Sequence, residues 1–168
     1  MHTILKKAAL TAALATASLS ASAAENHITL WADVDPTLAL LQADGSALPD
    51  AAQLTHNPIA GLVPWERMVR IYSNDEEADV EVRLLSTPSL VHQDGTGAAV
   101  PMTVSLNRRA LTITGQDFLA SDLFDGAVTG ASVAMPLTIA QTTPAPITAK
   151  GRYTGLVSIA MVQKAGTP

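Results

Sequence analysis

Along most of this chain apolar and polar residues alternate one for one, the period of a strand with one face in a core and the other in water. The stretch "AENHITLWADVDPTLALLQADGSALP" (24–49) opens with it: Ile28, Leu30, Ala32 and Val34 alternate with Thr29, Trp31, Asp33 and Asp35. A strand at the head of a chain needs a sheet to join, its own or a neighbour's. The next apolar run ends in turn chemistry at Asp44-Gly45 and Pro49, and "QLTHNP" and "WERMVRIYSND" predict further strands.

The cleanest alternation is "DVEVRLLS", with Val80, Val82 and Leu84 on one face and Asp79, Glu81 and Arg83 on the other. "AVPMTVSLNRRALTIT" predicts a hairpin that sets Val100, Met102, Val104 and Leu106 against Leu111 and Ile113 across a turn near Asn107 and Arg108. In "QDFLASDLF" the spacing of Phe118, Leu119, Leu123 and Phe124 predicts a short helix. "VAMPLTIAQ" returns to strand with Val133, Met135, Leu137 and Ile139 inward, and Pro101 and Pro136 on the opposite parity predict edge strands or bulges. The closing "GRYTGLVSIAMV" reads as one strand with Tyr153, Gly155, Val157, Ile159 and Met161 on one parity. Roughly seven short strands, spaced by about 8–12 residues with no long helix, predict an all-β, immunoglobulin-like antiparallel sandwich.

The first residues change the boundaries of that domain. Lys6 and Lys7 precede a weakly apolar Ala/Leu/Thr run that ends in the small-residue site Ala21-Ser22-Ala23, which is the layout of a secretory signal peptide. Thr11, Thr16, Ser18 and Ser20 interrupt the run too often for a membrane span. Removing residues 1–23 from the 168 leaves 145, enough for a single core and no second domain. The signal holds two of the ten basic residues and no acid, so the remainder carries eight bases against fifteen acids, a net charge of −7. Scattered acids of this kind argue against nucleic acid as a partner. There is no cysteine, so no disulfide staples an exported chain.

Chemistry-bearing motifs are absent. His27, His56 and His92 have neither cysteines nor ligand spacing around them and read as surface residues, so no metal site is expected. Asp33 and Asp35 lack the glycine and glutamate of a calcium loop. "QDGTG" (93–97) is a turn rather than a phosphate cradle, because no Lys-Ser/Thr follows it. No serine sits in a nucleophile elbow, and no carboxylate pair stands out. The sequence therefore predicts neither an enzyme nor a cofactor. Trp31 and Trp65 read as interface or rim residues rather than a sugar platform.

Three blocks, "ITLWADVDPTLALLQADGSALP", "YSNDEEADVEVRL" and "GRYTGLVSIAMV", resemble the major pilins of class 5 fimbriae, the colonisation-factor-antigen and cable pilins of the alternate chaperone–usher pathway. The likeness runs in order over almost all of the chain after the signal, departing at the bulky Trp31 and in "PWERMVRIY".

The resemblance implies an immunoglobulin-like sandwich that lacks its final strand and is completed by donor-strand exchange. Ile28, Leu30, Ala32 and Val34 are then the donor side chains, Asp35-Pro36 the inter-subunit hinge, and Tyr153, Val157, Ile159 and Met161 the groove wall. The domains become a signal peptide (1–23, with Ala21 and Ala23 marking the cleavage site), a donor-strand extension (24–36) and a pilin domain (37–168). It also implies the partners: identical subunits in a head-to-tail homopolymer, a periplasmic chaperone, an outer-membrane usher and a tip adhesin, at the end of a route through the periplasm to the bacterial surface. The competing function, a glycan-binding adhesin at the fimbrial tip, calls for a second, receptor-binding domain and a chain about twice as long.

Overall fold

The structure, a computed structural model, describes residues 38–164. The signal site at Ala21 and Ala23, the strand from Ile28 to Val34 and the hinge at Asp35 and Pro36 lie outside the described residues. In chain order the elements are β1 (Ala39–Gln42), β2 (His56–Asn57), β3 (Gly61–Leu62), β4 (Trp65–Tyr72), β5 (Asp79–Leu84), β6 (Ser89–His92), β7 (Val100–Leu106), β8 (Arg109–Ala110), β9 (Gln116–Phe118), α1 (Ala120–Leu123), β10 (Met135–Gln141), β11 (Tyr153–Thr154) and β12 (Ile159–Lys164).

All pairings are antiparallel. The larger sheet runs β1-β4-β10-β7-β6-β11, with β8 folded back on β7; the smaller runs β12-β5-β9, and β2 and β3 form a separate ribbon. The architecture is the immunoglobulin-like antiparallel sandwich that the alternation predicts. Its core joins Val69, Ile71, Val104, Leu106, Met135 and Leu137 of the larger sheet to Val80, Val82, Leu84 and Phe118 of the smaller. These are the inward parities of their strands, so the period-two pattern is realised as burial in β7, at the start of β10 and in β5 from Val80 onward; Asp79, expected in water, is buried, its carboxylate accepting from Ala120 N at 2.8 Å.

Local chemistry sets the joints. Asn107 and Arg108 both have positive φ, 50° and 64°, so the hairpin closes through a two-residue turn whose twist suits the flanking strands. Asparagine tolerates that conformation, whereas arginine suffers a steric penalty between Cβ and the following carbonyl. Arg108→Gly is therefore expected to raise the unfolding free energy by about 0.5–1 kcal/mol. Unchanged midpoint and slope in urea denaturation would place the strain elsewhere. In the turn after β1, the Ser46 side chain and then its backbone N–H bond to the Asp44 carboxylate, which holds that acid below its usual pKa.

Four other expectations need correction. The hairpin's inward series stops at Leu111, which is buried, while Ile113 is 61% exposed, because the return strand's bonds to β7 end with Leu111 N donating to Val104 O at 2.8 Å. Pro136 lies in β10, which is interior between β4 and β7, not at an edge. It is tolerated there because Asn107 N donates to Pro136 O at the point where β7 leaves the ladder; the missing N–H faces the turn and not a strand. Pro101 is the counterpart at the other end of the same ladder, where Thr142 N donates to Pro101 O just beyond β10. Finally, His92 is buried rather than superficial: Nδ1 accepts from Asp94 N at 3.2 Å, Nε2 bonds Lys150 O at 3.0 Å, and the Tyr153 ring meets it edge-on at 4.9 Å.

Candidate functional site

The closing segment, which reads as one strand, is two. Tyr153 and Thr154 form β11 on β6 of the larger sheet, and Ile159–Lys164 form β12 on β5 of the smaller one. Gly155 begins the crossing: a side chain there would collide with the Ser89 carbonyl and Leu90. The structure therefore does not bring Tyr153 together with Ile159 and Met161. Tyr153 packs on His92, and Val157 lies on the crossing, half-buried against the core.

Among the described residues β12 is paired on one side only, by β5. Its register is Ile159 opposite Leu84, Met161 opposite Val82 and Gln163 opposite Val80. Leu85 N donates to Ser158 O at 3.0 Å, which makes Ser158–Leu85 a hydrogen-bonded pair. Antiparallel pairs alternate, so Ala160, Val162 and Lys164 direct their backbone groups to β5, while those of Ile159, Met161 and Gln163 point away from the sheet. The same three residues carry the inward side chains. Ile159 and Met161 touch the core yet stay half-buried, although their partners Leu84 and Val82 are fully buried.

This combination of outward-pointing backbone groups and apolar side chains under them is what a strand-accepting edge requires. Proteins normally blunt such an edge with charge, proline or a bulge. Here the charge stands at the end of β12, where Lys164 Nζ contacts Glu81 Oε2 at 2.6 Å and Asp117 Oδ1 at 2.7 Å on the outer face. The hydrogen bond to Asp117, then that to Glu81, raises the Lys164 pKa above its usual value.

The core-facing end of the edge is polar. Gln163 Nε2 donates to Ser73 Oγ at 2.6 Å, tying β12 to the residue that follows β4 in the other sheet. A single amide on the inward parity of an otherwise apolar strand was the available signal for it; the alternation of Ile159 and Met161 hid it. Lys164 carried no signal, because its two acids are 83 and 47 positions away in sequence, beyond any local pattern.

No arrangement among the described residues gathers three His, Cys, Asp or Glu side chains into a metal-binding group. A cleft of about 220 Å³ lies beside the β2–β3 ribbon between Leu62, Pro64 and Pro144, and its lining contains no ionisable side chain.

Comparison with known proteins agrees with the fold. Residues 24–162 match the sequence family described as CS1 type fimbrial major subunit. The chain is similar to a CFA/I fimbrial protein of Escherichia coli O78:H11 (strain H10407 / ETEC), 37% identical over 149 residues that cover 86% of this chain and 88% of the relative. It is also similar to a CS1 fimbrial protein of Escherichia coli, 34% identical over 168 residues, covering 95% and 98% of the two chains. Among solved structures, the CooA pilin from enterotoxigenic Escherichia coli superposes with a TM-score of 0.66 at 26% identity, over 79% of this chain and 91% of that one. A match of this extent, on a sandwich of this topology, shows that the chain belongs to the CS1 type fimbrial major subunits, the structural subunits that polymerise into the shaft of a cell-surface fimbria.

Proposed function

We propose that the shaft grows by donor-strand exchange in which residues 24–36 of one copy join the free edge of β12 on the next. The observation that carries this reading is the edge itself: Ile159, Met161 and Gln163 direct their backbone groups away from β5 and their side chains toward the core. The alternation of Ile28, Leu30, Ala32 and Val34 supplies four inward side chains at the matching period. Each ladder hydrogen bond contributes about 1 kcal/mol, and each large apolar side chain buried about 1.5–3 kcal/mol. The contact joins different surfaces of two copies and does not close on itself, so it propagates as a filament.

In this reading residues 1–23 direct export and are removed after Ala23, and residues 37–168 form the accepting domain. Asp35-Pro36 is the hinge where the extension leaves its neighbour and enters its own domain. An exposed apolar edge aggregates unless it is covered. A periplasmic chaperone lends a strand until an outer-membrane usher exchanges it for that of the next copy, and a tip adhesin ends the polymer and attaches it to host cells.

Leu30→Asp places an unpaired carboxylate against the core and is expected to abolish surface fimbriae, whereas Asp33→Asn, on the outward parity, is expected to leave their number within about twofold. Electron microscopy of cells expressing each variant decides it. Normal fimbriae from Leu30→Asp would remove Leu30 from the donor face.

A further inference from the structure

Gln163 is an anomaly on the accepting edge. Its position, opposite the fully buried Val80, is one where a strand-accepting groove gains most from an apolar residue. The hydrogen bonds around it fix how its amide points. Ser73 Oγ donates its only proton to Asp75 O at 2.7 Å and accepts from Asp75 N at 3.0 Å. Gln163 must therefore present Nε2 to Ser73, as it does at 2.6 Å, and its Oε1 accepts no hydrogen bond among the described residues. The edge thus ends in an oriented, half-used amide held by a buried serine.

The extension carries one residue able to meet it. On the inward parity of residues 24–34, Asn26 is the sole amide, two positions before Ile28. We propose that Gln163, positioned by Ser73, sets the register of the incoming strand by pairing with Asn26 of the neighbouring copy, with the strand antiparallel to β12. This inference rests on the donor-strand reading above and specifies its geometry.

The whole register then follows. Ile28 lies opposite Met161, Leu30 opposite Ile159 and Ala32 opposite Val157, so every apolar donor residue in this stretch meets an apolar wall residue. The outward parity, which was not used to choose the register, also matches. Glu25 comes beside Lys164, adding a carboxylate to its cluster, and Trp31 comes beside Ser158, whose other neighbour Leu85 is 64% exposed. A side-chain-preserving slip moves the strand by two residues. In one direction it buries Asn26 against Met161; in the other it sets Ile28 on the Gln163–Ser73 pair and His27 beside Lys164. Either slip leaves a polar group without a partner in the groove. A parallel strand with Leu30 still opposite Ile159 sets Val34 against Gln163.

The chain has no cysteine, so engineered pairs report register without background. Val162 faces outward on β12 and forms a close, non-hydrogen-bonded position toward the added strand, where a disulfide fits. Fimbriae are assembled by cells expressing the full chain with Val162→Cys and one of His27→Cys, Glu25→Cys, Thr29→Cys or Asp33→Cys, then run on non-reducing gels. Intersubunit ladders are expected from His27→Cys at about tenfold the yield of the others, a ratio that about 1.4 kcal/mol of register preference produces. Adding Gln163→Leu is expected to move crosslinking to Thr29→Cys, because Ile28 can then sit at position 163. Adding Asn26→Leu, which leaves the accepting domain untouched, is expected to move it the other way, to Glu25→Cys.

Crosslinking in the parent through Thr29→Cys or Glu25→Cys overturns the register, and through Asp33→Cys the strand direction, while each keeps the donor strand. A His27→Cys ladder that neither substitution shifts overturns the role of the two amides. Intact fimbriae with no crosslink at any position overturn donor-strand exchange itself.

Discussion

Residues 24–36 grafted after Pro168, in a chain relieved of its own N-terminal extension, are expected to give a stable monomer that no longer polymerises. The same chain without the graft is expected to aggregate. The difference arises at β12, where Ile159 and Met161 sit half-buried over a core whose facing residues Val80, Val82 and Leu84 are closed to water. Supplying Ile28, Leu30 and Val34 buries about 1.5–3 kcal/mol of apolar side chain at each position and dries the wall residues in the same event. Tethering converts a bimolecular contact into an intramolecular one, which removes most of an association cost of about 4–15 kcal/mol. Connection length is itself informative. An antiparallel strand that begins beside Lys164 needs only a hairpin loop, for which residues 165–168 and a few more suffice; a parallel strand needs a crossover of about a dozen residues. Size-exclusion chromatography and thermal unfolding read the outcome. A cooperative monomer from the ungrafted chain lacking residues 24–36, as stable as the grafted one, would show that β12 needs no added strand.

The parts of this molecule that were legible in its sequence are those whose residues answer to local physics. Val80, Val82 and Leu84 alternate because β5 has a core on one face and solvent on the other, and positive φ at Asn107 and Arg108 follows from a two-residue hairpin between two apolar series. The helical turn at Ala120–Leu123 was likewise visible in the spacing of Phe118, Leu119 and Leu123. What escaped depends on contacts distant in sequence. Parity runs unbroken from Tyr153 to Met161, yet the chain changes sheets between Thr154 and Ile159, and only the close approach of Gly155 to the Ser89 carbonyl marks the place.

His92 reads as a surface residue until the 149–153 segment folds over it. Gly151 and Gly97 then show why they are glycines, since a side chain at Gly151 would strike the His92 ring and one at Gly97 the hydroxyl of Tyr153, which packs on that ring. Pro136 looked like an edge marker because sequence shows which N–H is missing but not which neighbour it faces. Of the candidate site, the apolar members Ile159 and Met161 could be read from the strand's parity. Its polar stop could not, because Ser73 lies 90 residues from Gln163.

Within the grafted monomer, Leu106→Ala is expected to lower the unfolding free energy by about 2–5 kcal/mol, while Ile113→Ala is expected to stay within about 0.5 kcal/mol of the parent. In sequence the two look equivalent, apolar residues in the two arms of the same hairpin. In the fold Leu106 is completely buried, between Leu137 on its own sheet and the smaller sheet's side of the core, and its removal leaves a cavity that the rigid ladder around it cannot close. Ile113 lies beyond Leu111, whose N–H makes the return strand's last bond to β7, and after Leu84 N has bonded to Thr112 O and drawn the chain toward the smaller sheet, so most of its side chain is already in water. Chemical denaturation of the two variants separates these cases. Equal losses would mean that the return strand stays paired past Leu111 and carries Ile113 into the core. A small loss from Leu106→Ala alone would mean that the two sheets are packed loosely enough to close the cavity, and the groove at β12 would then have to be shaped by the donor strand rather than waiting for it.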